Sequence, residues 1–224
     1  MFYRQRRYHW DDAIIHTLYD EDEKYVGELF NRKRHGFGKQ HYENGSSYIG
    51  EWRRDLRYGD GVLIDPDGSE YHGDWKKDVR CGHGIQHYND ESMYEGDWKH
   101  DKRNGSGTMT YKGEWKKDQR DGCGTMTYTG EWKEDDRHGF GTMTYTGEWK
   151  EDDRYVCGTM TYTGEWKKDK RCGFGTMIYI NGDIYTGEWK EDKRHGCGTM
   201  TYTNRDKYTG EWKEDDHYIN PKLK

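Results

Sequence analysis

The sequence is poor in the residues from which thick cores are made. Its 224 residues include one alanine, Ala13, and two prolines. Isoleucine, leucine and valine together number 18 and phenylalanine 5, about a tenth of the chain. That excludes an ordinary aliphatic core, and the near-absence of alanine argues against a helix bundle. No long uncharged apolar run occurs, so no transmembrane helix is expected. Met1-Phe2-Tyr3-Arg4 opens no apolar segment, so no signal peptide and no secretion are expected. There is no excess of positive charge: Lys and Arg total 37 against 43 Asp and Glu, a net charge of −6. Nucleic acid is therefore not an expected partner. The five cysteines are an odd number with no Cys-x-x-Cys pair, which points to reduced thiols in a cytoplasmic setting and to no structural zinc.

What is abundant is aromatic and glycine: 20 Tyr, 10 Trp and 30 Gly. These residues recur in register. Tyr-x-Gly-x-Trp begins at Tyr48, Tyr71, Tyr94, Tyr111, Tyr128, Tyr145, Tyr162, Tyr185 and Tyr208, with a tenth copy at Tyr25 that has Leu29 in the Trp place. Steps of 23 residues flank a central run of 17-residue steps. Three residues after each repeat Trp stands an Asp, and two further an Arg, replaced by His217 in the last copy; Gly-x-Gly follows the arginines. One copy departs, with Val156-Cys157-Gly158. All 30 glycines fall in repeat positions, so they serve backbone geometry rather than a loose linker.

The local pattern is strand. In Gly124 to Trp132, Gly, Met, Tyr, Gly and Trp alternate with Thr, Thr, Thr and Glu, the period-two signature of a half-buried strand. Lys133 to Gly139 reads as a charged turn, and Glu43-Asn44-Gly45, Pro66-Asp67-Gly68 and Ile180-Asn181-Gly182 read as tight hairpin turns. The short repeats lack six residues equivalent to Tyr179–Ile184, including that second turn. Each short unit is therefore expected to be one continuous strand of about nine residues. The deletion is even, so it keeps each side chain on its face. The count comes to 15 repeat strands.

The predicted fold is all-β: an elongated single-layer antiparallel meander of stacked hairpins, aromatic on one face and Thr-Glu-Lys on the other. Residues 1–24 form a non-repeat N-terminal cap, with a short helix starting at Asp11 or Asp12 that turns Ile14 and Leu18 inward. Residues 25–217 form the repeat sheet, with long repeats at 25–110 and 162–217 and short ones at 111–161. Residues 218–224 form a tail.

At Tyr185-Thr186-Gly187-Glu188-Trp189 through Arg194-His195-Gly196-Cys197-Gly198 the chain resembles the MORN-repeat (membrane occupation and recognition nexus) family. The resemblance covers Tyr25 to Trp212. It departs from the family pattern in the Asp after Trp, where the family has Gly, in the shortened units and in Leu29. It implies stacked β-hairpins in a twisted sheet with an aromatic groove. It implies a scaffold that binds proteins, a membrane-associated module, or a domain accessory to a catalytic one.

The expected docking face is the aromatic one: Tyr48, Trp52, Tyr71, Trp75, Tyr94, Trp98, Tyr111, Trp115, Tyr128, Trp132, Tyr145, Trp149, Tyr162, Trp166, Tyr185, Trp189, Tyr208 and Trp212. A single sheet supplies no lid for such a strip. The partners it would take are other proteins, copies of itself, or components of a large assembly such as the capsid of a large DNA virus. Lys167, Lys168, Lys170 and Arg171 form a basic turn that could meet anionic lipid head groups, the rival reading. No phosphate loop, His-Glu-x-x-His or nucleophile motif occurs, and the Asp-containing turns recur in positions expected to be solvated. No enzyme, cofactor or metal is expected.

Overall fold

The structure, a computed structural model, describes the backbone of residues 15–19, 24–116, 119–151 and 154–218, with side chains within 25–112, 125–146 and 158–216. All regular elements among the described residues are β-strands. The chain divides into two compact units, residues 1–82 and 83–224. The first holds β1 (Ile15–Tyr19), β2 (Lys24–Phe30), β3 (Lys33–His41), β4 (Ser47–Arg53), β5 (Leu56–Ile64) and β6 (Glu70–Lys76). Each pairs antiparallel with the next. The boundary falls within β7 (Val79–His87).

The second unit continues with β8 (Met93–Lys99), β9 (Lys102–Lys116), β10 (Gln119–Lys133), β11 (Asp136–Glu151) and β12 (Arg154–Lys167). It ends with β13 (Lys170–Ile178), β14 (Ile184–Lys190), β15 (Lys193–Thr201), β16 (Lys207–Lys213) and β17 (Asp216–Tyr218). From β8 on, these too pair in chain order and antiparallel. The repeats fill β2 to β16, the fifteen strands of the repeat arithmetic. The N-terminal reading changes at Ile15–Tyr19, which is a strand on the free side of β2 rather than part of a helix. An open backbone edge offers that segment hydrogen-bond partners that a short isolated helix would lack. Residues 1–14 and 219–224 lie outside the described residues.

Two kinds of reversal build the hairpins. At one edge, here called the arginine edge, two consecutive non-glycine residues have positive φ: Arg54 and Asp55 at 53° and 70°, Glu134 and Asp135 at 54° and 76°. This is the twist-compatible two-residue turn. The aspartate makes the left-handed backbone tolerable. Asp55 Oδ1 accepts the backbone N–H of Arg34 at 2.8 Å, while Asp55 N–H donates to the Arg34 carbonyl at 2.9 Å. The same clasp joins Arg57 to Asp78, Arg103 to Asp135, Arg137 to Asp169, Arg171 to Asp192 and Arg194 to Asp215. These aspartates are as solvent-accessible as the sequence leads one to expect, and they also link neighbouring turns.

At the opposite edge of the long repeats, the Asn-Gly and Asp-Gly segments are three-residue loops rather than two-residue turns. Gly45, at φ 87°, donates its N–H to the Tyr42 carbonyl, and Asn44 Oδ1 accepts both the N–H and the hydroxyl of Ser46. Short repeats lack this loop, and there the chain runs on. Each 17-residue unit is one strand, but β9 to β12 are 14–16 residues long, not nine. The two half-strands that a long repeat folds against each other are fused end to end. Successive short copies therefore point in opposite directions, and β9–β12 extend past the loop edge of the flanking seven- and nine-residue strands. The even deletion does preserve the face, since Tyr128 lies directly opposite Met109 and Met143.

Glycine is needed where Tyr lies flat on the neighbouring strand. A Cβ at Gly50 would stand 2.5 Å from Gly61 Cα, and one at Gly141 would overlap the Tyr128 hydroxyl. Gly141→Ala is therefore expected to lower the urea midpoint, by about 1–3 kcal/mol of stability. Thr144→Ala, on the opposite face of the same strand, should change it by less than about 0.5 kcal/mol. Equal effects would contradict the packing described.

Candidate protein-docking surface

The aromatic residues form a continuous edge-to-face ladder within each unit. In the first, Tyr48 meets Trp52 of its own repeat at 5.0 Å and Trp75 of the next at 5.6 Å, with interplanar angles of 88° and 85°. Tyr25–Trp52 and Tyr71–Trp75 extend it. In the second, the chain of contacts runs Trp98, Tyr94, Trp132, Tyr128, Trp166, Tyr162, Trp189, Tyr185, Trp212, Tyr208. T-shaped pairs place the positive ring edge on the negative face of the neighbour. Each Trp Nε1–H of the ladder donates to the carbonyl of a Gly-x-Gly glycine, such as Gly38 from Trp52 at 3.1 Å and Gly107 from Trp132 at 3.1 Å. Each Tyr hydroxyl of the ladder donates to the carbonyl three residues on, as Tyr48 to Glu51 at 3.1 Å. The polar atoms of the rings are thus satisfied locally.

Within the central strands the ladder skips alternate copies. Trp132 pairs with Tyr94, 38 residues back, and Trp166 with Tyr128. Tyr111 and Tyr145 share the face but sit toward the loop edge, half-buried and outside the ladder. The side chains of Trp115 and Trp149 lie outside the described residues. Of the expected face, then, the structure assembles the rings nearest the arginine edge and sets the Tyr111 and Tyr145 copies apart.

The face has a lid that sequence reasoning missed. The repeat arginine lies over the Trp of the next rung: Arg34 on Trp52 at 4.2 Å, Arg57 on Trp75 at 4.2 Å, Arg103 on Trp132 at 4.4 Å, Arg137 on Trp166 at 4.6 Å. Arg171 and Arg194 repeat this on Trp189 and Trp212. Each guanidinium is held by the aspartate of its clasp, as Arg137 Nε by Asp169 Oδ1 at 2.9 Å. Cation–π attraction and ion pairing therefore act on the same group. With rings below and arginines above, Tyr48 is 0% and Trp52 3% exposed. The signal for the lid was in the sequence: an Arg at constant distance from each Trp.

One pocket opens on this face in the second unit. This pocket, of about 140 Å³, is lined by Met126, Met143, Tyr145, Tyr162 and Trp166, with Arg137, Arg171, Asp169 and Asp192 at its rim. Of the basic turn, Lys170 is ion-paired to Glu191 and Arg171 to Asp192, while Lys167 and Lys168 are exposed. On the other face, Phe37, Phe140 and Phe174 are exposed at the middle of Gly-x-Gly, a feature sequence analysis passed over. Among the described residues, Cys81, Cys172 and Cys197 are not in disulfides. No helix among the described residues is long and apolar enough to cross a membrane.

These features define a β-repeat scaffold, one rung per hairpin. The MORN repeat family matches nine consecutive segments from 25–47 to 185–207, and the chain belongs to that family. No curated protein matches the chain. Among solved structures it is similar to the TCP domain of SAS-4 from Drosophila melanogaster, in complex with a proline-rich motif of Ana2. The identity is 10% over 79% of this chain and 84% of that one, with a TM-score of 0.40.

Burial raises six ladder tyrosines above the usual phenol range, Tyr25 to about 12 and Tyr48, Tyr94, Tyr128, Tyr162 and Tyr185 further. The folded state therefore holds protons that the unfolded chain releases near pH 10. The tyrosine contribution is complete below pH 10 and is lost as pH rises through 10 toward the folded values. Denaturant midpoints are expected to stay level to pH 9 as far as tyrosine contributes, then fall steeply above pH 10. Tyrosinate absorbance of these six rings should appear only with unfolding. Any of the six titrating near pH 10 in the folded protein would contradict this.

Proposed function

We propose that the protein is a non-enzymatic scaffold that docks other proteins on its aromatic face, as one part of a larger assembly. The observation that carries this reading is the pocket of the second unit. It combines an apolar, adaptable floor of Met126 and Met143 with aromatic walls and a rim of paired arginines and aspartates. Such a site suits an apolar side chain of a partner segment entering between polar contacts. The ladder rings themselves are consumed in holding the sheet. Tyr145, half-buried, is the pocket residue that a partner meets, Met126 and Met143 are the buried apolar lining around it, and Tyr48, Trp52 and their equivalents act by keeping the sheet rigid. The lipid reading has weaker support, because two of its four basic residues are already engaged by acids.

A photo-reactive residue placed at position 145 is expected to cross-link a stoichiometric protein in extract of the native source. The same probe at 144, on the opposite face, should not. Tyr145→Ala, assayed well below its own unfolding midpoint, should weaken capture of that partner at least ~10-fold, a loss of about 1.4 kcal/mol. Cross-linking from 144 alone would overturn the assignment of the face. Flotation with anionic vesicles that is lost on substituting Lys167 and Lys168 would replace it with the membrane reading.

A further inference from the structure

The fusion of half-strands in β9–β12 leaves two half-edges that ordinary repeats do not have. Strand β8 pairs with β9 only as far as Met93 opposite Thr110, and β13 pairs with β12 only as far as Ile178 opposite Thr161. Among the described residues, no strand pairs with the outer side of β9 beyond Thr110 or of β12 before Thr161. Ile180, from the β13–β14 loop, packs where a Cβ of Gly158 would lie, so it bounds the β12 half-edge at that residue. The open run is Arg154 to Gly158.

The two half-edges differ in chemistry. That of β9 carries Lys112, Glu114 and Lys116. Two copies paired antiparallel there about Glu114 would set Glu against Glu and Lys112 against Lys116, a destabilising arrangement. The β12 run has no charge from Tyr155 to Gly164. It is also flat. Copies that keep the first glycine of Gly-x-Gly break register there, as between Arg120 and Cys123 in β10. In β12 that glycine is Val156, and β11–β12 pair without a shift from Gly139–Trp166 to Glu151–Arg154. Charge and bulges are the usual protections of an edge strand, and this half-edge has lost the bulge and keeps a charge only at its end, Arg154.

We propose that Arg154–Gly158 is a homodimerisation edge, on which a second copy of this chain adds its own β12 antiparallel about a two-fold axis at Val156. In that register Arg154 faces Gly158 of the other copy and Tyr155 faces Cys157. The two Arg154 backbones stand about 14 Å apart along the ladder, so like charges are kept apart. The continuing part of each β12 runs out past the other's β11–β12 reversal. The alternative of β12 on the β9 of another copy fails on space, because the incoming Lys102–Thr110 would occupy the place of β13. The pairing is therefore isologous and closed. It is independent of any partner on the aromatic face. A five-residue ladder buries well below a standard interface, so the dimer is weak, with a dissociation constant on the order of 100 μM.

Sedimentation over a concentration series tests this on the full chain. The wild type is expected to pass from monomer to dimer. Val156→Lys, which opposes like charges at the axis, should move the midpoint at least ~10-fold higher. Val156→Gly restores the Gly-x-Gly pattern of the other copies, and so is expected to fold and to shift the midpoint the same way. Under mild oxidation, Val156→Cys should give a disulfide mapped between the two 156 positions, whereas Glu114→Cys should not link through 114. A wild type that stays monomeric to about 1 mM, a dimer indifferent to both Val156→Lys and Val156→Gly, or a link through 114 in its place would overturn the proposal.

Discussion

The fold depends on one interaction: a tyrosine ring laid over glycine and packed edge-to-face with a tryptophan in the next rung. The chain has no second layer of its own among the described residues, so it buries apolar area only by stacking rings along the sheet. Each residue of the repeat follows from that constraint. The two glycines clear the backbone under the ring. The acidic residue before Trp supplies the carbonyl for the Tyr hydroxyl, and its carboxylate can cap the glycine bulge, as Glu165 does for the Phe174 N–H at 2.9 Å. Trp closes the rung and bonds back to a glycine carbonyl. An aromatic pair contributes about 0.5–1.5 kcal/mol beyond its area, so stability accumulates rung by rung with no dominant centre.

Charge serves the ladder as well. The repeat arginine is fixed by a neighbouring aspartate and lies on the indole, converting a half-exposed ion pair into a cover for the aromatic row. Pairs of this exposure are worth little as isolated salt bridges. Their role is positional: they link adjacent turns and exclude water from the rings. The high charge content and the scarcity of aliphatic residues are thus two aspects of one design, in which Arg and Trp together do what leucine does in a thicker protein.

The strands, their faces and their number were legible because period-two alternation and glycine placement are local properties. So was the preservation of face by a six-residue deletion. The fate of the short repeats was legible only in part. Absence of a turn in Thr142 to Thr146 foretold a continuous strand, but its length depends on both half-strands finding partners, which is a non-local matter. The skipping of Tyr111 and Tyr145 by the ladder follows from the reversed direction of those copies and could have been drawn from that same absence. The aspartate clasp and the arginine lid were visible as constant spacing, yet each arginine's Asp and Trp partners lie one rung away, the Asp at separations of 21 or 32 residues, beyond any single window. Ile15–Tyr19 was misread because an edge strand is selected by its neighbour rather than by its own composition.

The most direct test of the ladder is a pair of double-mutant cycles on unfolding free energy. Trp132 is replaced by Leu together with Tyr94→Leu in one cycle and with Tyr111→Leu in the other. The structure predicts a coupling of about 0.5–1.5 kcal/mol for Tyr94 with Trp132 and none beyond error for Tyr111 with Trp132. Coupling to Tyr111 in place of Tyr94 would mean that the rungs follow chain order through the short repeats, and the fused-strand account would be wrong.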